Sequence, residues 1–341
     1  MTGSLTAADL AAVPAGVVEA LRGARRVLSL CHEKPESDAL GSALAVALAV
    51  EQLGGRATPV CSDEVPPMYG FMPLIERFRQ DPEPGVDYDL IVVNDCGDLA
   101  RVGSVLGRHG ELFGRVPILN IDHHVSNPGF GTIDWIDPTA AATCEMVSLL
   151  VPALGLPLTA ADGAIAANLI AGVVIDTANF QHPNTTPRTL RVAAELVAAG
   201  APLYDTARLL YRTKPNRQLQ LFGRVLGRLA EDLDGRLVWA TMTLDDLAST
   251  GTDSTDAEGL SDLLSQSASG QLVVMLKEDA PDRTRISVRT KEGGLDATAL
   301  TAAFGGGGHA RAAGATLPLP LAEAEQAVLA EARRLIGQAG G

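Results

Sequence analysis

Val116-Pro117-Ile118-Leu119-Asn120-Ile121-Asp122-His123-His124 is an apolar run that stops abruptly on a carboxylate and two imidazoles. A short apolar run with polar residues at its end reads as a buried strand. The acid and the imidazoles then fall just past its carboxyl end, where open α/β sheets place their sites. Asp122, His123 and His124 are therefore candidate catalytic residues.

The same grammar recurs outward from this run. Residues 26–31, 57–61 and 89–94 read as further buried strands. Residues 38–53 carry Leu40, Leu44 and Leu48 on one face and end at Gly54-Gly55, the pattern of a helix. An Ala-rich helix is expected over 160–174, leading into Ile175-Asp176-Thr177. Thr186 is placed to cap a helix that has Pro187 at its first position and runs to about 199, with another over 202–212. Strands alternating with helices predict an α/β fold, a mostly parallel sheet with helices on both faces. Past residue 216 the pattern changes. A helix is expected over 217–231, then strands at 236–242, 271–277 and 283–289, the last two joined as a hairpin through 278–282. Helices over 296–303 and 321–336 complete a smaller mixed α/β C-terminal domain, with Gly340-Gly341 expected to fray. The division predicted is a catalytic domain over 1–190, a helical linker over 191–215 and a second domain over 216–341.

Composition bounds the function. Of 341 residues, 46% are hydrophobic, enough for a packed core and against a disordered chain. Aromatics are only 4%, so Ala, Leu and Val must do the packing. The formal net charge of −14 opposes an extended surface for long duplex nucleic acid, whose affinity rests on many Lys and Arg contacts. A short anion in a local basic pocket stays compatible with it. Cys31, Cys61, Cys96 and Cys144 form no CxxC pair and read as small buried hydrophobes in a reducing compartment. Residues 1–5 lack the basic and apolar regions of a secretory signal, and no segment has the length of a membrane span, so a cytoplasmic protein is expected.

Metal-ligand types gather at the ends of these elements. His32, Glu36 and Asp38 follow the first strand, in a loop that Pro35 keeps extended. Asp38 could equally cap the next helix. Asp95 follows the strand at 89–94, and Asp176 closes the Ala-rich stretch. Taken singly, each could be a turn or cap residue. Together with His123 they make six candidate metal ligands: His32, Glu36, Asp38, Asp95, His123 and Asp176. A carboxylate-rich set without thiolates suits Mn²⁺, with Mg²⁺ the alternative, over Zn²⁺. Two such ions can share a hydroxide and clamp the attacking and leaving oxygens of a phosphoester displacement.

These motifs resemble the DHH phosphoesterase superfamily, in its stand-alone branch acting on nanoRNA and on 3′-phosphoadenosine 5′-phosphate (pAp). The first motif spans His32 to Ser42 with Glu36 in place of an Asp; the second is Asp95; the third is Asp122-His123-His124; the fourth is Asp176-Thr177, followed by Asn179-Phe180 where the family often has Gly-x-Phe. Gly306 to Gly314 matches the Gly-Gly-Gly-His-x-x-Ala-Ala-Gly signature of the DHH-associated second domain. The resemblance implies one ion on His32, Glu36 and Asp95 and another on Asp38, Asp95, His123 and Asp176, with Asp95 shared. It implies that His124 faces the substrate phosphate and that Asp122 orients the imidazoles. Glu36 is the departure, one methylene longer than the family residue.

In the second domain, Gly306, Gly307, Gly308 and His309 would offer backbone N–H groups to an anion without Cβ obstruction. Arg283, Arg285, Arg289 and Lys291 concentrate positive charge upstream, and strand alternation places Arg283, Arg285, Ser287 and Arg289 on one face. The resemblance sets Arg289-Thr290 against a substrate phosphate, so Arg285, Arg289 and Thr290 join the expected substrate-binding residues. The expected substrates are short RNA or DNA oligonucleotides and pAp, held in a cleft between the domains. A cyclic or linear dinucleotide phosphodiesterase and a RecJ-like single-strand exonuclease are the alternatives; a non-catalytic nucleotide-binding module would not need every ligand type retained. No membrane partner is expected, and homodimerisation is left open.

Overall fold

Each of the four apolar runs expected as strands in the N-terminal half becomes a strand of one parallel sheet. In the computed structural model, which describes residues 5–291 and 293–339, the strands are β1 (Arg26–Leu30), β2 (Arg56–Val60), β3 (Leu90–Asn94), β4 (Ile118–Asp122) and β5 (Ile133–Ile136), in the order β2-β1-β3-β4-β5. All four pairings are parallel. The expected frayed end, Gly340-Gly341, and residues 1–4 lie outside the described residues. β5 was not foreseen. It is a four-residue edge strand whose Ile-Asp-Trp-Ile pattern is only partly buried, too short to carry a periodic signal.

Alternate residues of the strands feed two separate cores, so the sheet is covered on both faces as expected. Val27, Val92, Leu119 and Ile121 pack into a core with α3 (Ser37–Gln52), α6 (Thr143–Ala153) and α7 (Ala164–Asp176). Leu28, Leu30, Ile91, Val93 and Ile118 face the other way, toward α4 (Ser104–Arg108) and α5 (Gly110–Arg115). α1 (Ala7–Ala11) and α2 (Ala15–Gly23) precede the sheet. α3 is buried from Ser37 to Val50, including Leu40, Leu44 and Leu48, each contributing about 1.5–3 kcal/mol of apolar burial. It packs against α7 through small residues. A Cβ on Gly41 would come within 2.5 Å of the Asn168 carbonyl oxygen, and one on Gly172 would strike the Asp38 carboxylate and Cys144 Sγ. This close approach carries Asp38 and Asp176 toward one another.

α8 (Pro187–Ala198) begins as expected, with Thr186 capping through Thr189 N–H and Pro187 at its first position. α8 and α9 (Leu203–Tyr211) pack on α7, and the first compact unit runs from Met1 to Thr213. The stretch expected as a linker thus lies with this unit as far as Thr213.

The second unit, Lys214–Gly341, is built on a mixed six-stranded sheet in the order β10-β11-β9-β8-β7-β6. Its strands are β6 (Ala230–Asp232), β7 (Leu237–Met242), β8 (Leu272–Ala280), β9 (Arg283–Thr290), β10 (Gly307–His309) and β11 (Ala312–Leu317). The helix expected over 217–231 corrects to α10 (Asn216–Leu226), which stops at Gly227; the residues beyond form edge strand β6, paired with β7. The β8–β9 hairpin is tighter than expected, turning through Pro281-Asp282 alone. One face packs on α13 (Ala297–Ala302) and α14 (Leu321–Ala339), the other on α10 and α12 (Leu260–Ser265); α11 (Leu244–Thr250) follows β7. All four cysteines are buried and free. Among the described residues, no helix is long and apolar enough to cross a membrane.

Candidate metal centre

All six expected ligands meet at the carboxyl ends of β1, β3 and β4. Three overlapping groups form there, His32/Glu36/Asp95, Asp38/His123/Asp176 and Asp95/His123/His124, with the donor atoms of each group within 4.8 Å of one another. Asp95 lies in two of them. It follows β3 with φ +59°, a left-handed conformation that turns the carboxylate inward from the strand end, while its N–H is held by the Ile121 carbonyl at 2.9 Å.

The imidazoles are pre-set. His32 Nδ1 lies 2.7 Å from the Glu33 carbonyl oxygen and His123 Nδ1 lies 3.3 Å from that of Ala140. A proton on each Nδ1 satisfies those acceptors and leaves Nε2 as the free donor, the usual arrangement of an imidazole ligand. Both Nε2 atoms point at carboxylates. His32 Nε2 is 3.4 Å from Asp95 and 3.5 Å from Glu36; His123 Nε2 is 3.5 Å from Asp95 and 3.3 Å from Asp176. These separations exceed the ~2.9 Å of a well-made N–H···O bond, and suit donors that converge on a common point.

Asp38 corrects one expectation. It does not cap α3. Glu36 does, accepting from the N–H groups of Asp38 at 2.7 Å and Ala39 at 3.0 Å. Asp38 is instead fully buried one step into the helix, and its two oxygens accept from Thr143 N at 2.7 Å and Cys144 N at 2.8 Å, the start of α6. α6 has no side-chain cap of its own, so Asp38 caps it from a distance. Thr143 Oγ1 adds a bond to Asp95 at 3.0 Å.

Asp122 is buried and orients His124, whose Nδ1 sits 2.7 Å from its Oδ1. The other oxygen accepts from Asn127 Nδ2 at 2.7 Å, and the same amide reaches the Cys96 carbonyl oxygen at 3.0 Å. Asn127 escaped the sequence reading; its only signal was its place three residues past His124. Beyond Asp176, Ala178, Asn179 and Phe180 all have positive φ (+47°, +58° and +63°), a single left-handed turn. It is tied down by Asn179 N–H to the Val174 carbonyl and Phe180 N–H to Thr177 Oγ1.

The electrostatics are those of a site short of positive charge. Among the described residues, the ion pairs made by Glu36, Asp95 and Asp176 are to imidazoles only. Burial, then the charges of Asp95 and Glu36, pushes Asp38 up to about 7. Burial, then Asp38 and Glu36, likewise raises Asp176. Burial would also raise Asp95, but His123 and His32 overcome it and hold the carboxyl well below its usual range. Burial draws the imidazoles down, yet Asp95 and Glu36 lift His32 to about 10, and Asp95 with Asp38 lifts His123 to about 9. Four carboxylates competing for two imidazoles form a donor set that fits divalent cations.

The expected substrate residues of the second unit gather at one edge of its own sheet. β10, Gly307–His309, is exposed and pairs with β11. Thr290 ties this corner together: its N–H donates to the Arg311 carbonyl at 3.1 Å and its Oγ1 to that of Ala310 at 3.0 Å. The glycines are not equivalent. A Cβ on Gly306 would strike the Gly314 carbonyl oxygen, and one on Gly308 would meet Ala312 O and Ala313 Cα at 2.6 Å, whereas nothing lies within 4 Å of one on Gly307. Arg285 is exposed on β9, Arg289 is paired to Asp262 at 3.0 Å, and Arg283 to Asp279 at 2.6 Å.

Comparison with known proteins agrees with both halves. The model of the DHH family, N-terminal domain, matches residues 26–200, and that of the DHHA1 domain matches 234–338. The chain is 36% identical over 311 residues to the bifunctional oligoribonuclease and PAP phosphatase NrnA of Thermus thermophilus, covering 91% of this chain and 90% of that one. It is 27% identical over 291 residues to the protein of the same name from Bacillus subtilis, covering 84% and 87%. In fold it is similar to an exopolyphosphatase-related protein from Bacteroides fragilis, at a TM-score of 0.82 and 20% identity over 98% of this chain and 99% of that one.

Proposed function

We propose, because this chain belongs to the DHH phosphoesterase family and its nanoRNase/pAp-phosphatase branch, that its substrates are short oligoribonucleotides and pAp. The chain is a hydrolase acting on phosphoester bonds. Its reaction would use two divalent ions, Mn²⁺ first and Mg²⁺ as the alternative. The observation that carries this reading is Asp95, shared between the group with His32 and Glu36 and that with His123 and His124. Asp38, His123 and Asp176 complete the second set.

Bound there, such ions would lower the pKa of water and neutralise charge on a phosphate. The remaining work falls to side chains. Asp122 accepts the Nδ1–H of His124, which fixes the tautomer and frees Nε2 on a ring whose side chain is 36% exposed. With a second proton on Nε2, as the imidazolium, the ring would donate to a phosphate oxygen or pass that proton to the leaving group. Asn127 keeps Asp122 from rotating. In the second unit, Gly307, His309, Arg285, Arg289 and Thr290 would make up a site for a substrate phosphate. The names of the relatives from Thermus thermophilus and Bacillus subtilis support this choice of substrates, as does the net charge of −14, which disfavours long polyanions. The free cysteines support a reducing, cytoplasmic setting.

The test is a panel with Mn²⁺: pAp, RNA from the dinucleotide upward, single-stranded DNA and cyclic di-AMP, ranked by kcat/KM. The expected order has pAp and the shortest RNA leading and activity falling with length. A preference for cyclic di-AMP, or activity sustained on long single strands, would replace this reading with one of its alternatives.

A further inference from the structure

The two ligand sets are not built alike. One is braced by a single segment. Thr143 and Cys144 N–H hold Asp38, Thr143 Oγ1 holds Asp95, and the Ala140 carbonyl holds His123. Asn184 Nδ2 bridges the Ala141 carbonyl oxygen at 3.1 Å and that of Asp176 at 3.2 Å. Residues 140–144, with Asn184, therefore touch Asp38, Asp95, His123 and Asp176. The segment is anchored in turn. Buried Glu145 accepts from Ala141 N at 3.2 Å, Thr189 Oγ1 at 2.7 Å and Arg188 Nε at 2.5 Å, and Arg188 Nη2 pairs with Asp137 at 2.9 Å. Asp137 N–H returns to the Asp122 carbonyl at 3.0 Å.

In the other set the frame stops short of Glu36: the loop of His32 is pinned by Glu33 N–H to the Arg101 carbonyl at 2.7 Å and Lys34 N–H to Asp63 at 2.7 Å, and Asp95 by Thr143. His32 is held by the Glu33 carbonyl, but both oxygens of Glu36 are engaged with the N–H groups that start α3. Asp38 likewise spends both oxygens on the N–H groups that start α6, so the difference between the two acids lies in length: Glu carries one more rotatable bond than Asp. Glu36 is also the more open ligand: its side chain is 30% exposed, whereas Asp38 is fully buried.

Resting on the two-ion reading above, we infer that the ion sites are unequal. The set Asp38/Asp95/His123/Asp176 fills first and tightly. The site of His32 and Glu36, completed by Asp95, holds its ion weakly, so turnover follows the free concentration of divalent cation. Glu36 sets that threshold, and Thr143 is a positioning residue for the tight site.

The test is a Mn²⁺ titration of the full chain, read by the EPR signal of free ion and by calorimetry, without substrate. The wild type should bind two ions in steps separated by at least about tenfold. Glu36→Asp keeps a capping carboxylate, should tighten the weak step by about tenfold and should leave the strong step unmoved. Thr143→Val should weaken the strong step by about 10–100-fold, and Thr143→Ser should restore it. Two equal affinities in the wild type, or an unmoved weak step in Glu36→Asp, would overturn the inference while leaving the two-ion reading standing. If the wild type bound no second ion at any concentration, the two-ion reading itself would fall, and this inference with it.

Discussion

Acidic and imidazole side chains cluster, buried, at the end of the first sheet; the β10–β11 corner of the second is an exposed, glycine-rich strand edge. Asp38 and Asp122 are fully buried and each is held by two partners, whereas Gly307, Gly308 and His309 are exposed. The first arrangement is paid for during folding, since desolvating acids and imidazoles is costly unless they pair. The second is paired with β11 along one side and is exposed to solvent. The contrast teaches where a defect should appear: damage to the first region should lower turnover, and damage to the second should weaken substrate binding.

The largest effect expected is from Asp95→Asn, which removes the shared charge. A loss of about a thousandfold or more in kcat, with the circular dichroism spectrum unchanged, is expected; near-normal turnover in saturating Mn²⁺ would break the comparison at its first term. pH gives the next. In the ion-free chain His32 and His123 titrate near about 10 and about 9, so both are protonated at about pH 8. An ion needs them neutral. Each expected ion carries one of them, so each binding step should release up to about one imidazole proton, and each affinity should rise with pH, by up to about tenfold per unit, until its imidazole is free. Calorimetry in buffers of different ionisation enthalpy counts those protons. No release would mean the imidazoles are not ligands.

His124→Ala and His309→Ala sharpen the contrast between regions. The first should lower kcat by about a hundredfold with the tight ion still bound. The second should raise KM for pAp by about tenfold with kcat nearly kept. Equal effects on KM from both would erase the distinction. The smallest differences expected lie within the glycine run. Gly307→Ala should leave the melting temperature where it is, because nothing stands near its Cβ. Gly308→Ala, at φ +145° against Ala312 and Ala313, should destabilise the chain by about 1–3 kcal/mol.

The sequence made legible whatever depends on apolar runs and charged residues at their ends. β1 to β4 and the six acids and imidazoles that cluster at the sheet end follow from that pattern, and Thr186-Pro187 marks the start of α8. It concealed what depends on neutral groups meeting across the chain. Thr143, Asn127 and Asn184 are unremarkable in any window; their importance comes from Asp95, Asp122 and Asp176, which the fold brings to them. Glu145 lies in an apolar helix and gains its meaning from Arg188, 43 residues away. The short edge strands β5, β6 and β10 were hidden because three or four residues cannot show a period. Glu36, not Asp38, caps α3 because both can cap, and only the position of α6 decides between them.

The left-handed turn past Asp176 has a consequence for heat tolerance. Ala178, Asn179 and Phe180 occupy a conformation that costs an ordinary L-residue roughly 1–2 kcal/mol, least for Asn. A glycine at Ala178 would adopt it without that penalty. The protein therefore holds a reserve of thermal stability that a single substitution outside its ligand set could release.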